Sequence, residues 1–303
     1  MSLKYTSIAL KILLLKEKLN LTNAKFWKEY STKETIENFF SDSCIELPYD
    51  IEENFKKDGI DGFVCCFDED FPIINSKVKT NSDKPYLLFY KGNLSLLKNI
   101  NNNVAVIGLT DPTEDIINRE KKIVKNLVQK DLTIVSGLAK GCDSVAHITC
   151  LETRGKTIAI LPTTIGKIYP AENVELAKNI TDNNGLLLTE YYKEPKNKFE
   201  AVKRFTDRDR LQAMFSKAVI MIASYRKGEG DSGSHYAMDA AKKYEVDRFV
   251  MYNKEIDEKN IRFGLNKDFV NLDSKVKIIS QKKIEEIVAL KICNKSALTL
   301  FDI

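Results

Sequence analysis

The sequence predicts an α/β protein: a mostly parallel sheet with helices on both faces, preceded by a small helical domain. Three observations carry that prediction. From Val104 onward, short apolar runs alternate with helix-length amphipathic segments, the pattern of buried strands joined by crossover helices. Strand-like runs end in glycine-bearing turns, at Gly108 and in the loop Ser136-Gly137-Leu138-Ala139-Lys140-Gly141. Residues 1–62 instead carry apolar clusters without that alternation.

The elements follow in chain order. Ile8 to Leu15 with Leu19 forms a first helix, Phe26, Trp27 and Tyr30 begin a second, and Ile36, Phe39 and Phe40 suggest a third. Phe63 to Phe67 reads as a strand, followed by the extended Asp70-Phe71-Pro72. Tyr86 to Tyr90 is an apolar run bounded by Pro85 and Gly92, hence another strand. Val104 to Ile107 is the first core strand. Asp111-Pro112-Thr113-Glu114 reads as a helix start, with Asp111 as cap and proline in the first helical position. That helix places Ile116, Ile117, Ile123, Val124, Leu127 and Val128 on one face. Thr133 to Ser136 is the next strand, and a helix from near Asp143 carries His147. Thr157 to Leu161, Leu186 to Glu190, Val219 to Ala223 and Arg248 to Tyr252 are further strands, with a helix starting near Ser234. Lys275 to Ile279 adds an edge strand and Ile284 to Leu290 a last helix. The expected divisions are 1–62 (helical), 63–292 (α/β) and 293–303 (tail).

Composition narrows the function classes. The 303 residues include 47 basic and 43 acidic side chains, a net charge of +4. Any affinity for nucleic acid must therefore come from a local patch. Six cysteines without a C-x-x-C pair suit reduced thiols, and two histidines give no zinc spacing. No metal or other cofactor is expected. The apolar stretch Ile8 to Leu15 is too short to span a bilayer, so a cytoplasmic protein without membrane contact is expected.

Some residues can carry chemistry. Gly137 and Gly141 let a backbone approach a phosphate, with Lys140 adding charge, or they serve only a tight strand-to-helix turn. Ser232-Gly233-Ser234 opens a helix whose free N–H groups can hold an anion, or whose serines merely cap it. Lys227 to Gly230 resembles a mobile lid. Lys203, Arg204, Arg208 and Arg210 form the densest basic cluster, suited to phosphate or to pairing with Asp207 and Asp209. Phe205 suits base stacking or the core. His147 reads as a structural histidine, Asp143 as a helix cap, and Cys142 as a thiol whose pKa a helix N-terminus could lower.

The wording of these motifs resembles the DprA/Smf family of DNA-processing proteins. Ser136 to Asp143 with Ala146-His147 is similar to its SGLARGID…AH. Tyr86 to Gly92 looks like its lead-in strand, Tyr169 to Asn173 its YPxEN, and Leu187 to Tyr191 its LLSEY. Phe205 to Ser216 resembles its F-x-x-RNR segment, and Ser232 to Ala240 its SGSL-x-TA motif. The resemblance implies an extended Rossmann-like domain that binds single-stranded DNA through backbone phosphates, forms homodimers, hands the strand to a RecA-type recombinase and is not an enzyme. Carried onto this chain, the phosphate contacts are Gly108, Gly137, Lys140, Gly141, Arg204, Arg208, Arg210, Gly233 and Ser234. The chain departs where Gly108-Leu109-Thr110 replaces G-S-R and where Arg208-Asp209-Arg210 replaces RNR. Tyr252-Asn253 replaces Pro-Gly. Helix-hairpin-helix words are missing from the N-terminal segment, and no winged-helix domain is expected in 293–303. Leu298, Leu300 and Phe301 resemble a sliding-clamp peptide. A nucleotide-ligand sensor of the same superfold and a non-catalytic interaction scaffold remain alternatives.

Overall fold

A computed structural model describes residues 3–40, 46–231 and 233–290. Among these residues, nine strands make one sheet: β1 (Gly62–Cys65), β2 (Leu87–Gly92), β3 (Asn103–Ile107), β4 (Thr133–Ser136), β5 (Thr157–Ile160), β6 (Leu186–Thr189), β7 (Ala218–Met221), β8 (Asp247–Val250) and β9 (Val276–Ile278). Their order is β1-β2-β6-β5-β4-β3-β7-β8-β9. From β6 to β9 every neighbouring pair is parallel, while β1–β2 and β2–β6 are antiparallel. The fold is thus the expected α/β, Rossmann-like one. β3, β4, β5, β6 and β7 are buried along their full length, as a sheet covered on both faces requires.

The crossover helices are α5 (Glu114–Val128), α6 (Cys142–Glu152), α7 (Val174–Asp182), α8 (Lys198–Met214) and α9 (Ser234–Lys243). Right-handed crossovers from β3 through β6 place α5, α6 and α7 on one face. The return from β6 to β7 places α8, beside α9, on the other. The order reverses at β3, so the connections that follow β3 and β7 leave toward opposite faces at the carboxyl edge of the sheet. Three later helices complete the described chain: α10 (Lys254–Asp257), α11 (Gly264–Leu272) and α12 (Gln281–Ala289).

Among the described residues, four helices precede the sheet rather than three: α1 (Ser7–Leu19), α2 (Asn23–Glu29), α3 (Lys33–Phe39) and α4 (Tyr49–Asp58). The fourth starts after Pro48 and stops at Gly59, whose φ of 65° supplies a left-handed cap. The segment 1–62 does not keep its apolar side chains to itself. Ala9, Leu13, Phe26 and Phe55 share a core with Phe89, Leu138, Ala159, Leu161 and Leu187 of the α/β part. Tyr86 stacks on Phe26 at 4.1 Å and donates its hydroxyl to the Leu21 carbonyl at 3.0 Å.

Asp111 is not a helix cap. The helix after β3 begins at Glu114 with Thr113 as N-cap, because the Asp111 carboxylate is taken at 3.0 Å by both the Tyr225 hydroxyl and Arg262. No helix among the described residues is long and apolar enough to cross a membrane.

Candidate nucleic-acid interface at the carboxyl edge of the sheet

The glycine-rich turn after β4 is shaped as a cradle for an anion, and the chain fills it from within. The Gly137 and Ala139 N–H groups both donate to Asp143 Oδ2, at 3.1 and 3.3 Å. Leu138 adopts φ of 58° and Gly141 φ of 69° to let the turn close. A Cβ on Gly137 would stand 1.5 Å from Arg208 Nη1, so a side chain there would evict the arginine. Arg208 in turn donates to the Gly137 carbonyl and, at 3.2 Å, to that of Ile160. It pairs with Asp209 at 2.8 Å and lies 4.0 Å from Asp143. Asp143 sits in the first turn of α6 rather than at its N-cap, which is Gly141; its carboxylate braces the preceding turn.

Burial dominates the electrostatics behind this turn. It pushes the Asp143 carboxyl up despite Arg208, and the Asp209 carboxyl up to about 6. His147 is fully enclosed, and desolvation, helped by Arg208, lowers its imidazole to about 3. The Thr157 hydroxyl donates to the Ile134 carbonyl, so its oxygen accepts from His147 Nδ1–H at 2.7 Å. The Cys142 thiol shifts opposite to the expectation from its place at a helix N-terminus. It is buried against Glu120, and desolvation pushes its thiol well up instead of down. Gly108 is a packing glycine: a Cβ there would lie 2.5 Å from Cys142 Sγ.

The basic cluster on α8 also turns inward. Arg210 grips Glu190 with two bonds of 2.8 Å and donates to the Asp83 carbonyl at 2.9 Å. Burial would push Glu190 up, but Arg210 holds its carboxyl below the usual range. Arg204 donates to Glu200 and to the Lys193 carbonyl, both at 2.7 Å, and lies over the Tyr191 ring at 4.2 Å. Thus Arg204 and Arg208, expected to face phosphate, are buried, and Arg210 is only 12% exposed along its side chain; all three are engaged by internal partners. Lys203 pairs with Asp207 at the surface.

Lys140 stays exposed, 2.7 Å from Glu172. Asn173, two residues after Ala171, donates to the carbonyls of Leu138 and Ala139 at 2.8 and 3.3 Å. The Tyr169-to-Asn173 segment is thereby pinned to the glycine-rich turn.

A second anion cradle lies past the carboxyl ends of β3 and β7. Thr110 N–H donates to Asp231 Oδ2 at 2.9 Å, and Gly233 N–H donates to its Oδ1 at 3.3 Å. Gly233 is the N-cap of α9 and Ser234 its first residue, with no side-chain cap bond. Gly141 packs beneath: a Cβ there would meet the Leu109 carbonyl at 2.4 Å. The serine at 232 lies outside the described residues. Asp231 escapes a motif search because it belongs to no motif. The Asp-before-Gly pattern in Asp231-Ser232-Gly233 was its available signal. Among the described residues, no group of three or more His, Cys, Asp or Glu side chains could hold a metal.

Comparison with known proteins agrees with this architecture. The model of the family "DNA recombination-mediator protein A" matches residues 62–270. The DNA processing protein DprA of Streptococcus pneumoniae is 40% identical over 148 residues, 48% of this chain and 50% of that protein. DprA of Bacillus subtilis is 31% identical over 160 residues, 52% and 50% of the two chains. The chain therefore spans about half the length of the curated relatives it matches. Among solved structures, S. pneumoniae DprA aligns with a TM-score of 0.63 at 25% identity, covering 92% of each chain. Helicobacter pylori DprA, whose structure addresses its single-stranded DNA binding mode, aligns at 0.61 and 27% identity, covering 75% of this chain and 96% of that one. With the family model spanning more than half of its residues, the chain belongs to the DNA recombination-mediator protein A (DprA/Smf) family of DNA-processing proteins.

Proposed function

We propose that the carboxyl edge of the sheet binds single-stranded DNA through backbone phosphates, without regard to base sequence. One observation carries the reading: Thr110 and Gly233 N–H groups converge on the partly exposed carboxylate of Asp231, at the head of α9. Two backbone donors aimed at one oxyanion beside a helix N-terminus form a place for a phosphate. Thr110, Gly233 and Ser234 would supply donors, Lys140 an exposed charge, and Gly108 and Gly141 the close packing of the turns. Gly137, Arg204, Arg208 and Arg210 act behind that surface by holding the turns in place. The H. pylori relative makes a single strand the leading ligand.

The proposed role is one of binding, and His147 and Cys142 support the fold from buried positions. Homodimer formation, hand-over to a RecA-type recombinase and a cytoplasmic setting extend the same reading. The clamp-like residues Leu298, Leu300 and Phe301 lie outside the described residues. A compact competitor fits the same cradle, since one carboxylate marks room for one phosphate of a nucleotide.

Fluorescence anisotropy with labelled oligonucleotides tests the proposal. Binding should weaken steeply with salt, and Lys140→Gln should lower the slope of log affinity against log salt by about 1. No binding at low salt, or binding indifferent to salt, would refute it. A thermal shift with mononucleotides but not with oligonucleotides would select the competitor.

A further inference from the structure

We propose that the exposed ring of Phe199 and the half-buried ring of Phe205 on the first turns of α8, together with Tyr169, form a platform on which bases of a bound strand stack. This rests on the single-strand reading above and adds the part that would touch bases. The second half of α8 is buried, including Arg208, Leu211 and Met214. The first half starts beyond the carboxyl end of β6 and leaves Phe199 81% exposed and Val202 60% exposed. Phe205 follows at the same three-residue step, and each step advances about 4.5 Å along one side of the helix. Tyr169, 57% exposed, meets the Phe205 ring edge-on, with centroids 5.5 Å apart and planes at 84°.

Scattered apolar side chains on a surface need no explanation, but three exposed ones gathered around a half-buried ring on one side of a helix do. This set stands at the ligand edge of the sheet. Tyr169 is fixed there by its own segment, through Glu172 on Lys140 and Asn173 on the glycine-rich turn. The occupant follows from chemistry. Three of the four side chains are aromatic, and every base offers a π-face to such rings. Lys140 and Lys203 flank them in exposed pairs with Glu172 and Asp207. Such pairs are weak and exchange readily for phosphate. Four side chains also fall far short of the roughly 20 residues a side of a stable protein interface.

The test compares an oligo-dT with an abasic oligonucleotide of equal length, which keeps the phosphates and loses the bases. The unaltered chain should bind oligo-dT more tightly. Phe199→Ala should weaken oligo-dT binding about tenfold while leaving the abasic affinity and the salt slope unchanged, and Phe199→Trp should retain it. Unchanged melting temperatures would confirm intact folding, as expected for so exposed a side chain. Equal losses on both oligonucleotides, no loss on either, or no preference in the unaltered chain overturns the platform while leaving phosphate binding intact. A change in self-association by sedimentation, without a change in DNA affinity, assigns the face to a second copy and also overturns it. If the unaltered chain binds neither oligonucleotide, the single-strand reading fails first and the platform with it.

Discussion

Two turns at one edge of the sheet each hold an aspartate where an external anion would sit, and the two are built differently. After β4, Asp143 lies 6% exposed, bonded to Gly137 and Ala139, with the buried Arg208 locked onto the same turn. Past the carboxyl ends of β3 and β7, Asp231 is partly exposed and meets Thr110 and Gly233 at the head of a helix. A glycine-rich turn therefore identifies a backbone able to hold an anion, but not whose anion it holds. The buried carboxylate belongs to the fold. In the proposed reading, the accessible one marks the position where a phosphate would exchange.

The largest effect should come from breaking the sealed turn. Arg208→Ala leaves Asp143 and Asp209 buried without their cation and frees the Gly137 and Ile160 carbonyls. Loss of one partner from such a buried network costs about 3–5 kcal/mol, readable by urea unfolding. Arg208→Lys should not restore it, because a single ammonium cannot reproduce the fork that reaches both carbonyls and Asp209. A loss below about 1 kcal/mol would mean the turn after β4 is as open as the one after β3.

A pH profile sharpens the contrast at intermediate size. His147 titrates at about 3 in the folded chain against its ordinary 6.5. As pH falls below 6.5 the unfolded chain takes up the proton first, so stability is lost progressively down to 3. The loss approaches about 1.4 kcal/mol per pH unit. Asp209, raised to about 6, acts oppositely: the folded chain binds its proton first, so it adds stability as pH falls toward 4. The difference between parent and His147→Gln isolates the histidine. The variant should gain on the parent steadily below pH 6.5 in thermal melts. Parallel curves would show that the imidazole behind the sealed turn reaches solvent.

Much of the frame was legible in the sequence because it rests on local pattern. β4 is found at Thr133–Ser136, as apolar periodicity and the following glycine indicate. The helices at Tyr49–Asp58 and Lys198–Met214 were harder. The first is short, and the second is dense in charge with little apolar stripe. The site was less legible, for a physical reason. Arg208 meets a carbonyl 71 positions away, and Arg210 a carboxylate 20 positions away. A basic cluster on one helix shows its charge in the sequence, whereas its desolvation and its partners arise only when distant segments pack. Asp111 shows the same limit, since Tyr225 and Arg262 draw it away from the cap that Asp-Pro suggested.

The smallest expected change bears most directly on which turn takes the ligand. Asp231→Asn keeps an oxygen to accept from Thr110 or Gly233 but removes the charge. Its effect on melting should stay within about 0.5 kcal/mol, as for other surface changes. A strand phosphate would then enter without displacing a like charge, so oligonucleotide affinity should rise about three- to tenfold at low salt. The gain should shrink as salt screens the repulsion. Asp143→Asn should give no such gain, because its turn is closed by Arg208 and admits no phosphate whatever the charge inside it. Equal gains from both substitutions would make the two turns equivalent binding places. A gain from Asp143→Asn alone would reverse their roles and return the glycine-rich turn to the position of ligand site.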